Sequence, residues 1–81
     1  MSYLARVDVM LKPGISDPQG QTIEKALPVL GYEGVREVRV GKRIQLQVDA
    51  TDAEEARSKV EEMCERLLAN PVIESYEVSI A

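Results

Sequence analysis

Residues 3 to 11 alternate between apolar and polar side chains, and this pattern restricts the fold more than any other part of the chain. The apolar side of the segment holds Tyr3, Ala5, Val7, Val9 and Leu11. A period of two is typical of a β-strand that buries one of its faces. The chain is therefore predicted to begin with a strand whose apolar face belongs to the core.

The opposite face of this strand is only partly polar, because Leu4 and Met10 share it with Arg6, Asp8 and Lys12. Ordinary surface variation would explain the two apolar residues, and so would a second subunit that covers the face. We favour the second subunit. A chain of 81 residues forms one domain, and a domain of this size has a modest core, so oligomerisation or docking would supply the missing burial.

A first helix is predicted to begin after Asp17. Asp17 has the side chain of an N-cap, and Pro18 suits the first helical position. Pro28 removes a backbone donor within the helix and predicts a kink or a tightened last turn. Gly31 predicts the end of the helix in a left-handed conformation. One helical face then holds the apolar residues Ile23, Ala26, Leu27 and Leu30.

Two further strands are predicted on either side of a short turn. The segment Val35 to Val40 alternates, with Val38 and Val40 inward and Glu37 and Arg39 outward. Gly41 and Lys42 follow, and a two-residue Gly-X connection between alternating runs is typical of a tight hairpin. The strand after the turn is marked by Ile44, Leu46 and Val48.

A second helix and a last strand complete the pattern. Thr51 and Glu54 have the spacing of a capping box. One stripe of the predicted helix carries Ala53, Ala56, Val60, Met63, Cys64, Leu67 and Leu68. Asn70 and Pro71 are predicted to end the helix, and alternation from Val72 to Ile80 predicts the strand.

The order of elements is strand, helix, strand, strand, helix, strand. This order predicts an α+β fold, a ferredoxin-like two-layer sandwich with a four-stranded antiparallel sheet and two helices on one face. All of residues 1–81 are expected to form this single domain. The other face of the sheet would stay open, and Leu4 and Met10 make it a natural place for self-association or docking.

The composition excludes several classes of function. The net charge is −4, with 14 acidic and 10 basic residues, so the basic excess of a nucleic-acid-binding protein is absent. No apolar run has membrane-spanning length, and no signal peptide is recognised. The single cysteine, Cys64, forms no internal disulfide, which fits a reducing compartment. A cytoplasmic protein with no nucleic-acid or membrane partner is expected.

No catalytic or metal site is predicted. The chain has no histidine, which is the commonest general base and metal ligand. Cys64 lies on the apolar stripe of the second helix, where a buried and unreactive thiol is expected. The glycines do not form a phosphate-binding loop.

The segment from Lys12 to Gly20 contains no catalytic group that works alone, but its backbone is conformationally restricted. Two prolines and two glycines restrict its backbone, and Lys12, Asp17 and Gln19 can present polar groups from it. Such a segment is typical of a rigid surface presented to a partner or a ligand. Lys42 and Arg43 add positive charge at the tip of the predicted hairpin.

Five fragments, in order along nearly the whole chain, together resemble the PurS family, the small subunit of phosphoribosylformylglycinamidine synthase. They are Leu11–Ile15, Asp17–Gly20, Leu30–Tyr32, Val38–Lys42 and Leu67–Glu74. Each fragment alone is a weak signal, and the series at these spacings is specific.

The resemblance implies a non-catalytic subunit of an ATP-dependent, glutamine-using ligase of de novo purine biosynthesis. It implies a homodimer or higher homo-oligomer that joins a synthetase subunit, PurL, to a glutaminase subunit, PurQ, and supports ammonia transfer. ATP and Mg would be used by the complex, and no cofactor is assigned to this chain.

On this interpretation the candidates for contacts between subunits are Lys12, Asp17, Gln19, Gly20, Gly41 and Lys42. Helix capping and turn geometry explain Asp17, Pro18 and Gly41 at least as well. Lys12, Gln19 and Lys42 have weaker structural explanations and are therefore the better candidates.

Two alternatives from other classes stay open. Ferredoxin-like domains also bind amino acids between subunits, so a small-molecule-sensing regulatory domain is one alternative. An enzyme of acylphosphatase type is the other, but it needs an Arg-bearing phosphate loop and a supporting Asn that we cannot place in the sequence.

Overall fold

The structure is a computed structural model that describes all 81 residues. Three strands form one antiparallel sheet in the order β2-β1-β3. The strands are β1 (Ser2–Leu11), β2 (Lys42–Asp49) and β3 (Glu74–Ile80). The helices are α1 (Pro18–Val29) and α2 (Ala53–Met63), and α2 runs into a π-helical turn at Cys64–Leu68.

The core lies between the sheet and α2. Ala5, Val7 and Val9 of β1 are buried, as the alternation predicted, and Val60 and Cys64 meet them from α2 and the π-turn. On the opposite sheet face Arg43 of β2 pairs with Asp8 of β1 at 2.7 Å, and Met10 on the same face is 39% exposed. None of the helices has the length and apolar character that a membrane span requires.

The predicted four-stranded sheet with two helices on one face is wrong. The sheet has three strands, and the predicted strand Val35 to Val40 pairs with none of them. Gly41 and Lys42 are therefore not a hairpin turn, and Lys42 is the first residue of β2. Helix α1 makes no extensive contact with the sheet, and its single buried residue is Gly20.

The physical reason is a competition for backbone hydrogen bonds. The N–H of Val38 donates to Oε1 of Glu24 at 3.0 Å, and the N–H of Val40 donates to Oδ2 of Asp17 at 2.8 Å. Glu37 has φ 58°, which interrupts an extended strand. The segment therefore runs back along α1, bonded to side chains instead of to β2.

Residues 18–40 thus form an arm, made of α1 and the segment that returns beside it. The molecule extends over 51 × 25 × 15 Å, with a radius of gyration of 16.2 Å. A compact chain of this length has a radius of gyration of roughly 12 Å. The arm therefore projects from the sheet and leaves the monomer far from compact.

The predicted boundaries of α1 are confirmed. Asp17 is the N-cap and Pro18 begins the helix. The last turn is tightened, since the N–H of Leu30 donates to the carbonyl of Leu27 at 3.0 Å. Gly31 has φ 99°, the left-handed conformation predicted for it.

Helix α2 differs from its prediction at both ends. Its N-cap is Asp52, whose carboxylate accepts from the N–H of Glu55, so the helix begins one residue later than the Thr51 capping box predicted. At the other end the π-turn inserts an extra residue into the helical repeat. Leu67 consequently points away from the core and is 83% exposed, while Leu68 packs against it.

Candidate interface at the base of the arm

Asp17 occupies the point where the arm leaves the sheet. The residue is 4% exposed. One carboxylate oxygen accepts from the N–H of Gly20 at 2.9 Å and the other accepts from the N–H of Val40 at 2.8 Å. These hydrogen bonds, helped by the charge of Arg39, hold the pKa of the Asp17 carboxyl below its usual value. Asp17 is therefore an ionised acceptor that joins both ends of the arm.

Arg39 ties the same point to the loop that precedes α1. Its guanidinium lies 3.9 Å from the Asp17 carboxylate. It also donates to the carbonyl of Ile15 at 3.1 Å and to that of Lys12 at 3.2 Å. Arg39 therefore ties the backbone between β1 and α1 to the end of the arm.

Two glycines allow the chain to pass closely at this point. A Cβ atom on Gly20 would collide with the carbonyl oxygen of Val38, and one on Gly41 would collide with that of Val9 and with the sulfur of Met10. Both glycines are therefore required for space, whatever contacts they make with other subunits.

Lys12 has an internal partner. Its ammonium donates to the carbonyl of Pro71 at 2.7 Å, and its backbone N–H donates to that of Ile73 at 2.8 Å. Lys12 thus ties the start of the loop to the segment before β3, a structural role that the sequence did not reveal.

Gln19 and Lys42 are exposed, and neither side chain makes a hydrogen bond within the chain. Both line a cavity of about 300 Å³ between the first turn of α1 and the end of the sheet. Asp17 and Gly41 line it too, and Glu74 supplies a carboxylate on β3. The structure therefore brings four of the six candidates to one cavity, with Gly20 buried beside Asp17 and Lys12 outside the lining.

The sequence analysis missed Glu24 and Arg39 as parts of this site. Arg39 was predicted to point outward from a strand. Its carbonyl partners lie 24 to 28 residues away along the chain, and no local pattern signals contacts at that distance.

Cys64, the one thiol of the chain, belongs to the core and does not line this cavity. Cys64 is fully buried, and burial together with Glu61 and Glu65 raises the pKa of its thiol. No cluster of three or more histidine, cysteine, aspartate or glutamate side chains is placed to hold a metal ion. What the site offers is a concave surface with a free ammonium and a free amide.

The fold and the site define a class of small α+β domains in which one helix covers a three-stranded sheet and a helical arm projects from it. The family model for PurS, described as phosphoribosylformylglycinamidine (FGAM) synthase, matches residues 4–81. The chain belongs to the PurS family.

Curated relatives carry the same family name. The chain is 44% identical over 78 residues to the phosphoribosylformylglycinamidine synthase subunit PurS of Methanocaldococcus jannaschii, which covers 96% of this chain and 94% of the relative. It is 41% identical over 78 residues to the PurS subunit of Bacillus subtilis, with coverage of 96% and 92%.

Solved structures share the fold. The crystal structure of Methanocaldococcus jannaschii PurS, described as a subunit of formylglycinamide ribonucleotide amidotransferase, superimposes with a TM-score of 0.86 at 43% identity, covering 98% of this chain and 95% of that one. A chain in the structure of PurLQS from Thermotoga maritima superimposes with a TM-score of 0.90 at 38% identity, covering 100% and 99%.

Proposed function

We propose that this chain is the non-catalytic small subunit of phosphoribosylformylglycinamidine synthase. Membership of the PurS family over residues 4–81 is the observation that carries the proposal. The lack of histidine and the burial of the one thiol support a non-catalytic role. The small-molecule-sensing alternative finds no support among the relatives.

The complex would convert formylglycinamide ribonucleotide, glutamine and ATP to formylglycinamidine ribonucleotide, glutamate, ADP and phosphate. A glutaminase subunit releases ammonia, and a synthetase subunit activates the amide with ATP and consumes the ammonia. This chain would join the two in the cytoplasm, so that ammonia passes between them without loss to solvent. The PurLQS structure supports such an assembly, since one of its chains superimposes on this one.

Self-association is part of the proposal, and the arm supports it. Ile23 is 42% exposed and Leu30 71% exposed, so much of the apolar face predicted for α1 is uncovered, and Leu27 is only half-buried. Both outer strands of the sheet, β2 and β3, have an unpaired edge, which natural proteins seldom leave open. A second copy would cover these surfaces.

A groove beside α2 offers a place for the arm of that second copy. Lys59, Met63 and Leu67 line a cavity of about 410 Å³ along one side of the helix. This side lies toward β2, because the Lys59 ammonium donates to the carbonyl of Asp49 at 2.9 Å. Helix α1 would cover this part of the sheet in a ferredoxin-like domain. An α1 helix from another copy is therefore a suitable occupant.

The cavity at the base of the arm is the proposed contact with the larger subunits. Lys42 and Gln19 supply an ammonium and an amide with no internal partner, so an acidic or carbonyl-bearing segment of a partner would bind them without breaking existing hydrogen bonds. Direct contact by Lys12, Asp17, Gly20 and Gly41 stays a prediction.

Reconstitution from separate subunits tests the proposal. Synthetase and glutaminase subunits are assayed with and without this chain, using glutamine or free ammonia as the nitrogen source. We expect this chain to be required for the glutamine-dependent reaction and dispensable with ammonia. Full glutamine-dependent activity in its absence would contradict the proposal.

Lys42→Glu tests the cavity. We expect the variant to fold and to bind the other subunits about tenfold more weakly, a loss that corresponds to one charge-assisted contact. Lys25→Glu makes the same change of charge at an exposed position outside the cavity and is the matched control. Calorimetric titration measures both, and equal affinities for the two variants would remove Lys42 from the interface.

A further inference from the structure

The arm is joined to the sheet at one small cluster of interactions, which we call the arm junction. It comprises Asp17, Gly20, Glu24, Val38, Arg39 and Val40. We infer that Asp17 is a positioning residue, which holds the arm at a fixed angle to the sheet and so sets the geometry in which the arm meets a second copy. The inference rests on the proposed self-association for its consequence, but the fixed angle itself can be measured separately.

The burial of Asp17 separates this role from direct contact with another subunit. At 4% exposure its carboxylate has almost no surface to offer. Both oxygens are already used, Oδ1 by the N–H of Gly20 and Oδ2 by the N–H of Val40, 23 residues further along the chain. Asp17 therefore affects assembly indirectly, by fixing the backbone at Gly20 and Val40 and not by touching the second copy.

Helix capping does not account for this arrangement, as the second helix of the same chain shows. Asp52 caps α2 by accepting from the N–H of Glu55 at 2.7 Å, and its side chain makes no other hydrogen bond. Asp17 caps α1 in the same way, by accepting from the N–H of Gly20. In addition it accepts from the N–H of Val40, at the end of the returning segment. That second hydrogen bond is the feature which capping leaves unexplained.

The remaining contacts of the arm junction make the angle stiff. Arg39 lies on the returning segment but donates to the carbonyls of Lys12 and Ile15, in the loop that precedes α1. Glu24 accepts from the N–H of Val38. Gly20 lies so close to the carbonyl oxygen of Val38 that a Cβ atom would collide with it. A change of angle would break the contacts of Arg39 with the loop before α1. The contacts with Val38 hold the two segments of the arm together, so that the segments would have to move as one.

Because the arm is long, a small change of angle at its base displaces its tip by a large distance. Helix α1 has 12 residues and is roughly 18 Å long, so a tilt of about 20° would move its far end by about 6 Å. Interfaces pack as closely as protein interiors, and a displacement of that size would take the apolar residues of α1 out of register with their partner surface.

The test measures the orientation of α1 by residual dipolar couplings of the full chain. In the wild type we expect the amides of α1, α2 and the sheet to fit one alignment tensor. In Asp17→Ala the couplings of α1 should shrink and leave that fit, while α2 and the sheet keep it. Asp52→Ala is the matched control, because it removes a capping aspartate of the same kind, and α1 should keep its orientation. Retention of the common tensor by Asp17→Ala would overturn the inference.

Asp17→Asn guards against failure of the alanine variant to fold. Its amide keeps one acceptor oxygen, so we expect an intermediate loss of orientation, and α1 couplings equal to those of wild type would count against the inference. Sedimentation of all variants should show self-association weakened about tenfold by Asp17→Ala and unchanged by Asp52→Ala. A wild type that stays monomeric at every concentration would refute self-association alone, since the couplings would still decide whether Asp17 holds the arm.

Discussion

At the scale of single residues, the base of the arm depends on space as much as on hydrogen bonds. Gly20 lies inside a helix, where alanine is favoured over glycine by about 1 kcal/mol. The carbonyl of Val38, however, lies where a methyl group would have to go. Backbone cannot retreat as a flexible side chain can, so the steric term should outweigh the gain in helix propensity.

We therefore expect Gly20→Ala to lower the free energy of unfolding by about 1–3 kcal/mol, measured by urea titration. Gly34→Ala is the comparison, because Gly34 has φ 80° and open space around it, so its cost is conformational and about 1 kcal/mol. A variant Gly20→Ala more stable than wild type would show that the two segments can separate at no cost.

At the scale of elements, the π-turn changes which side chains α2 presents. A regular helix would place Leu67 on the stripe with Val60 and Cys64, as the sequence analysis predicted. The turn instead exposes Leu67 and directs Leu68 toward the core. Because π-turns are often found at functional sites, the exposure of Leu67 agrees with its place in the proposed groove for the second copy.

Two alanine variants distinguish these positions. Leu68→Ala should lower the free energy of unfolding by about 1–2 kcal/mol, less than a fully buried leucine because the side chain is only partly covered. Leu67→Ala should stay within about 0.5 kcal/mol of wild type. Urea titrations at low and high protein concentration separate folding from assembly. A large loss in the free energy of unfolding for Leu67→Ala at low concentration would show that Leu67 packs in the core, as the sequence predicted.

At the scale of the whole molecule, the extended shape is the property that most requires a partner. A radius of gyration of 16.2 Å and an arm with one buried helical residue leave too little apolar burial to hold the arm by itself. The junction at its base fixes its direction, and a second copy would supply the burial along its length.

Ile23→Glu tests this arrangement. A charge on the apolar face of α1 should shift the protein toward monomer, with self-association weakened roughly 100-fold because an ionised group cannot be buried in an apolar interface without a large cost. Gln21→Glu adds the same charge at another exposed position of α1 and should change little. Sedimentation measures both, and an unchanged Ile23→Glu dimer would place the interface elsewhere.

Local patterns determined much of this protein by themselves. The period of two defined β1 and its buried face, Asp17 with Pro18 defined the start of α1, and Gly31 defined its end, because each of these depends on residues only a few positions apart. The fragments that resemble the PurS family, confirmed by the family model over residues 4–81, indicated what the protein does.

The tertiary structure alone decided the path of residues 35–40 and with it the shape of the molecule. Their alternation is that of a strand, and nothing local reveals that Asp17 and Glu24 take the hydrogen bonds which a neighbouring strand would have made. The choice between a side-chain acceptor and a strand edge depends on groups 14 and 23 residues away. The first strand, where the pattern was clearest, buries the face that was predicted. The segment predicted as the fourth strand of the sheet forms part of the arm instead.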